Sequence, residues 1–259
     1  MKKFSFNSVL PDVPFDHAPL ERCLLQLRFS PVPELLDDSV ERLLSEHLEP
    51  LPVRNKVMST TMVAGMSGQT QEVIRTFESV DGMRRASVAA DFVAFETTEY
   101  TTRDEFLREA RLLIETLATV RRPARITRVG IRYTNAFNDI DSLLNWVKPP
   151  LLGWIGALEE DTHLDTQLLY ATLVKDQDSR VAVRTAFVPA GAVLEPGMSV
   201  KDIPRWFLDI DAYDETPRPG FETDPLMARL NSLAKDAQQV FAWAAEDFIA
   251  HGGGVKYGE

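Results

Sequence analysis

Apolar and polar positions alternate from Leu20 to Phe29, with Leu25, Leu27 and Phe29 on one side and Gln26 and Arg28 on the other. A period of two marks a half-buried strand, because successive side chains leave a strand on opposite faces. Ser30-Pro31-Val32-Pro33 ends it. The period then lengthens. Val40, Leu43, Leu44 and Leu48 recur at helical spacing and predict a helix over 37–48, closed by Pro50 and Pro52. From Val53 to Val80 the chain is polar and β-prone, with Gly65 and Gly68 as turn markers and Val73–Phe77 as a strand. Asp81-Gly82 predicts a hairpin whose return strand covers 84–90, and a further strand follows over Phe92–Thr97.

The stretch from Asp91 to Phe137 carries the clearest signal: strand, turn, long amphipathic helix, strand. The helix is predicted over Arg103–Val120, with Phe106, Ala110, Leu113, Leu117 and Val120 as its buried stripe. Thr102 caps it, and Glu105 three residues on completes a capping box. Pro123 stops it before a strand over Ile126–Tyr133. A short helix is predicted over 138–147, and Pro149-Pro150 marks a junction. Beyond it come strands over 167–173, 180–188 and 206–213, the first two separated by the turn cluster Lys175-Asp176-Gln177-Asp178. Residues 189–204 and 214–225 read as loops. A last helix over 226–250 aligns Leu230, Leu233, Ala237, Phe241, Ala244 and Phe248, and Gly252-Gly253-Gly254 ends it. These elements predict an α+β fold of two similar halves, each an antiparallel sheet packed on one face by a long helix. The boundaries are 1–19 for an irregular arm, 20–150 and 151–251 for the halves, and 252–259 for a tail. No short-period repeat points to a solenoid.

Composition narrows the picture. The chain has 259 residues, 44% hydrophobic and 26% charged, as ordinary globular proteins do. Its net charge of -11 argues against broad, nonspecific attraction to nucleic-acid backbones. Cys23 is the sole cysteine, so no intramolecular disulfide forms and a cysteine-based zinc site is excluded. It lies in an apolar run and is expected to act as a small buried hydrophobe. The start, Met1-Lys2-Lys3-Phe4, lacks the apolar segment of a signal peptide, and no run approaches a membrane span. A cytoplasmic location is the expectation.

Three segments carry a family resemblance: Ala18-Pro19-Leu20 leading to Leu27-Arg28-Phe29-Ser30-Pro31, Tyr100 through Arg128-Val129-Gly130-Ile131-Arg132-Tyr133-Thr134-Asn135, and Phe207-Leu208-Asp209-Ile210-Asp211. Together they resemble a sporadically distributed family of uncharacterised bacterial proteins of about this length. The resemblance covers nearly the whole chain, and its motifs are structural rather than catalytic. A Leu-His pair frequent in that family's final helix is Leu233-Ala234 here, so no role for a histidine carries over. The resemblance implies a bacterial cytosolic protein with the patchy distribution of accessory or defence genes.

Strand parity supplies the candidate chemistry. Arg128 and Arg132 are four apart on one strand and share a face, opposite Val129, Ile131 and Tyr133. Asp209 and Asp211 share a face opposite Leu208 and Ile210, Arg184 lies opposite Val181 and Val183, and Arg28 opposite Leu27 and Phe29. If these strands join one sheet, its aliphatic face packs on the helices. The other face then carries Arg28, Arg128, Arg132, Arg184, Asp209 and Asp211. Such a face can clamp an anionic ligand or a protein partner through charge-assisted hydrogen bonds. It can equally be a solvated face laced by cross-strand ion pairs. Asp209-x-Asp211 also fits magnesium, with Asp214, Glu215 and Glu96 as further candidates. The histidines, His17, His47, His163 and His251, are scattered without metal-ligand spacing, and no phosphate loop or nucleophile motif occurs. Trp146, Trp154 and Trp206 are expected in core packing, with an interface anchor as the alternative.

The functional expectation is a non-catalytic binding or interaction component of a bacterial accessory system, of a defence or toxin–antitoxin kind, working through the polar sheet face. Its partner would be a protein, self-association included, or a small anionic ligand. The sequence names no catalytic residue, metal ligand or cofactor, and no membrane partner. The alternative is a metal-dependent enzyme acting on a phosphorylated or nucleic-acid substrate through Asp209 and Asp211.

Overall fold

Segments of period two form strands and segments of helical period form helices in a computed structural model that describes residues 18–62, 69–157, 164–175, 178–195 and 197–252. The arm up to residue 17, Gly65, Gly68, His17, His163, Asp176-Gln177 and Gly253-Gly254 lie outside the described residues. The fold is α+β, built on antiparallel strand pairing with helices. Packing divides the chain into two units, and each draws on separate stretches of sequence. One comprises Leu24–Ile131 with Asp214–Asn231 and is named the α2 unit after its helix α2 (Arg103–Val120). The other comprises Arg132–Tyr213 and, among the described residues, those up to Cys23 and those from Ser232 onward, and is named the β9 unit after strand β9 (Arg205–Asp214). Among the described residues no helix is long and apolar enough to cross a membrane.

In the α2 unit the strand order is β2 (Val53–Met62), β3 (Gln69–Glu78), β4 (Arg84–Val88), β5 (Phe92–Thr97), β1 (Leu20–Phe29) from Leu24 on and β6 (Arg125–Phe137) up to Ile131. A two-residue strand, β10 (Arg218–Pro219), also pairs with β6 within a segment expected to be loop. The turn after β3 spans Ser79–Met83. Gly82 takes a φ of 73°, which disfavours any side chain, and Asp81 accepts hydrogen bonds from Ser79 Oγ at 2.5 Å and the Met83 N–H at 2.9 Å. Helix α1 (Asp38–His47) buries Leu44 and, just past its end, Leu48. Leu43 is 42% exposed, so the apolar stripe is narrower than the spacing predicts. Helix α2 (Arg103–Val120) starts where expected: Thr102 Oγ1 accepts from the Glu105 N–H at 3.2 Å. The Glu105 carboxylate accepts from the Thr101 hydroxyl. Phe106, Ala110, Leu113 and Leu117 are buried with Leu25, Leu27, Phe95, Val129 and Ile131, and the Phe106 ring sits 5.5 Å from that of Phe95.

In the β9 unit β6, from Arg132 on, is followed by β9 (Arg205–Asp214), β8 (Arg180–Val188) and β7 (Gln167–Val174). β6 runs four residues beyond the expected end, because Thr134–Phe137 continue the buried strand. The even positions of β9, Trp206, Leu208, Ile210 and Ala212, are fully buried, as are Leu233 and Ala237 of α4 (Thr223–Ala244). That helix begins three residues earlier than predicted, since Pro225 is tolerated in a first turn where the lost N–H has no intrahelical partner. It also stops earlier. The Ala244 carbonyl accepts from the Lys148 N–H at 2.9 Å, and a π-helical turn, Phe248–Gly252, follows. Phe137 packs on Trp206 and Phe248 at 5.6 and 5.2 Å, and Trp146 on Phe248 at 5.3 Å, beside the short helix α3 (Ile140–Trp146). The tryptophans therefore divide: Trp206 is core, Trp146 half-buried, and Trp154 is 66% exposed.

Candidate functional site

The polar positions of the β9 unit converge. Arg184 on β8 lies directly opposite Asp209 on β9 in the strand register, so both side chains leave the same face. Arg132 on β6 reaches Asp209 with a two-pronged fork, Nε to Oδ1 at 2.6 Å and Nη2 to Oδ2 at 2.9 Å. Arg184 Nε donates to Oδ2 at 3.0 Å and the Thr134 hydroxyl to Oδ1 at 3.1 Å. Asp209 is thus buried, at 4% exposure, but surrounded by donors. A buried charge persists only when paired and hydrogen-bonded in this way.

A second carboxylate completes the cluster. Glu195 belongs to the loop over 189–204. Its Oε1 accepts from Arg132 Nη2 and Arg184 Nη2, both at 2.5 Å, and its Oε2 accepts from Arg22 Nη2 on β1 at 2.5 Å. Burial alone would raise the Glu195 pKa. The hydrogen bonds from Arg132 and Arg184, with their positive charge, outweigh that and hold it at about 2. Burial would lower the Arg132 pKa, yet Asp209 and then Glu195 raise it above the ordinary arginine value. The loop docks by more than this contact. Ala192, Leu194 and Met198 pack on Ala136, Ala186, Val188 and Phe207. Arg205, itself buried, donates to the Ser199 carbonyl at 2.9 Å and to Glu21 at 2.6 Å, 4.8 Å from the Phe207 ring centre.

Of the other expected residues, Asp211 keeps the face that parity assigns it, and Arg28 and Arg128 lie in the α2 unit. Asp211 is half-buried on the Asp209 face of β9, opposite Ala182. Arg28 and Arg128 both donate to the side-chain oxygen Oε1 of Gln26, at 3.2 and 3.4 Å. Arg28 also reaches Asp91 at 3.3 Å and lies 5.3 Å over the Phe92 ring. The Arg128 guanidinium lies over Gly130, where an added Cβ would sit 2.5 Å from it. The glycine in Arg-Val-Gly-Ile-Arg thus makes room for the arginine two residues before it. Near Asp91, Glu72 is raised above its ordinary pKa by burial and by a hydrogen bond and repulsion from that neighbour.

Two of the three further carboxylates that could join a metal, Asp214 and Glu96, have arginine partners. Asp214 accepts from Arg229 at 2.7 Å, from Arg218 and from the Thr216 N–H. Glu96 accepts from Arg85 at 3.0 Å. Arg22 and Thr134 escaped the sequence reading although their parity marks them: Arg22 shares a face with Gln26 and Arg28, and Thr134 with Arg132. Glu195 had no such signal, because a loop has no period. Neither a protein-family model nor a curated protein sequence matches this chain, so the chemistry of the site is read from its geometry.

Proposed function

We propose that this chain is a non-catalytic binding component of a bacterial accessory system, and that it recognises an acidic group through Arg22, Arg132 and Arg184. The observation that carries this reading is the convergence of three guanidiniums, from three different strands, on the single carboxylate of Glu195. Strands hold such donors rigidly, and planar guanidinium forks match carboxylate and phosphate oxygens. Asp209 aligns two of the arginines, and Glu195 occupies the position that an acidic side chain of a partner, or a small anion, would take. The bacterial, cytoplasmic setting follows from the sequence resemblance. The expectation of two sheet-and-helix halves remains part of the same reading, supported by the long helix and antiparallel strands of each unit.

The metal-dependent alternative has less support. Both oxygens of Asp209 already accept from arginines, and a divalent cation there would meet two guanidiniums at close range. Thermal melts in rising inorganic phosphate test the proposal. Phosphate should raise the melting temperature of the wild-type chain, and Arg22→Ala, which leaves the Asp209 pairs in place, should lose that rise. An equal rise in both proteins, or none in the wild type, would overturn it.

A further inference from the structure

β7 is the last strand of its order: among the described residues it pairs with β8 alone, through eight consecutive positions from Gln167↔Phe187 to Val174↔Arg180. Its sequence, Gln-Leu-Leu-Tyr-Ala-Thr-Leu-Val, holds neither charge nor proline, and its register has no bulge. Charge, proline and bulges are the devices that normally stop an edge from taking up another strand. β2, at the end of the α2 unit's order, carries Arg54 and Lys56. β7 carries none of these, and its Leu168 and Tyr170 are 60% and 66% exposed.

We propose that β7 pairs antiparallel with β7 of a second copy of this chain, about a two-fold axis through Ala171. The strand's own order argues for this occupant. Directly opposed residues in an antiparallel ladder share a face, so a two-fold axis perpendicular to the sheet passes through a residue position. Placed at Ala171, it sets Tyr170 against Thr172 and Leu168 against Val174 on the Arg184 face. On the other face it sets Leu169 against Leu173 and Ala171 against itself. Aromatic–β-branched and aliphatic pairs of this kind stabilise adjoining strands, and no like charges meet within the strand. The contact is isologous and closes at two copies. It involves none of the arginines of the anion site and stands independently of it.

Sedimentation velocity of the full chain, from low micromolar to several hundred micromolar, tests the pairing with Ala171→Lys and Ala171→Glu. Ala171 is exposed, so both variants should keep the wild-type circular dichroism spectrum. The wild type should form a dimer as concentration rises. Each variant alone should lose it, because like charges then face each other across the axis, and an equimolar mixture of the two should recover it. A wild type that stays monomeric, a variant that dimerises as the wild type does, or a mixture that fails to recover would each overturn the proposal.

Discussion

Asp209 and Glu195 share Arg132 and Arg184, but the chain holds them differently. Asp209 is fixed by the strand register, opposite Arg184, and its burial makes the loss of either arginine partner destabilising. Glu195 hangs from a loop that is also anchored by Leu194, Met198 and the Arg205–Ser199 hydrogen bond, so its charge can be removed while these contacts stay in place. The folded Glu195 pKa of about 2 lies below its ordinary 4.5, so its contribution to stability is complete above the unfolded value. It is lost as pH falls from there through about 2. Urea midpoints measured at stepped pH should therefore fall more steeply across this window for the wild type than for Glu195→Gln. Parallel curves would show that the contact contributes nothing to folding. The sequence exposed half of this site. Parity identifies Arg132, Arg184 and Asp209, because a strand fixes which residues share a face. It says nothing about which loop residue folds back onto them.

At the scale of elements, long periodic segments were the most legible. The boundaries of α2 match the expected ones because a cap, Thr102, and a stop, Pro123, flank a clean apolar stripe. Leu113 sits at the centre of that stripe and is fully packed, so Leu113→Ala should cost about 2–5 kcal/mol of stability, read from chemical denaturation. An unchanged midpoint would mean that the helix does not pack where it is described. Legibility fails where tertiary contacts override local pattern. The break in α4 at Ala244 follows a hydrogen bond from Lys148, about a hundred residues earlier in sequence, which no local window contains. β10 is two residues long and exists only because β6 offers it an edge. Trp154 looks like a core residue by type, yet a 3-10 turn, Gly153–Gly156, leaves it in solvent.

At the scale of the whole molecule, charge and site oppose each other. A net charge of -11 repels an approaching anion at long range, so the proposed recognition would rest on short-range arginine forks. The chain's division into units was not visible in the sequence, because each unit assembles segments far apart along it, and only packing reveals which segments belong together. In the proposed anion site of Arg22, Arg132 and Arg184, Glu195 is the resident occupant. Calorimetric titration of inorganic phosphate into the wild type and into Glu195→Ala, at one fixed ionic strength, is the decisive measurement. Removing the occupant should tighten binding by at least about tenfold, or about 1.4 kcal/mol. Equal affinities, or no binding to either protein, would contradict it.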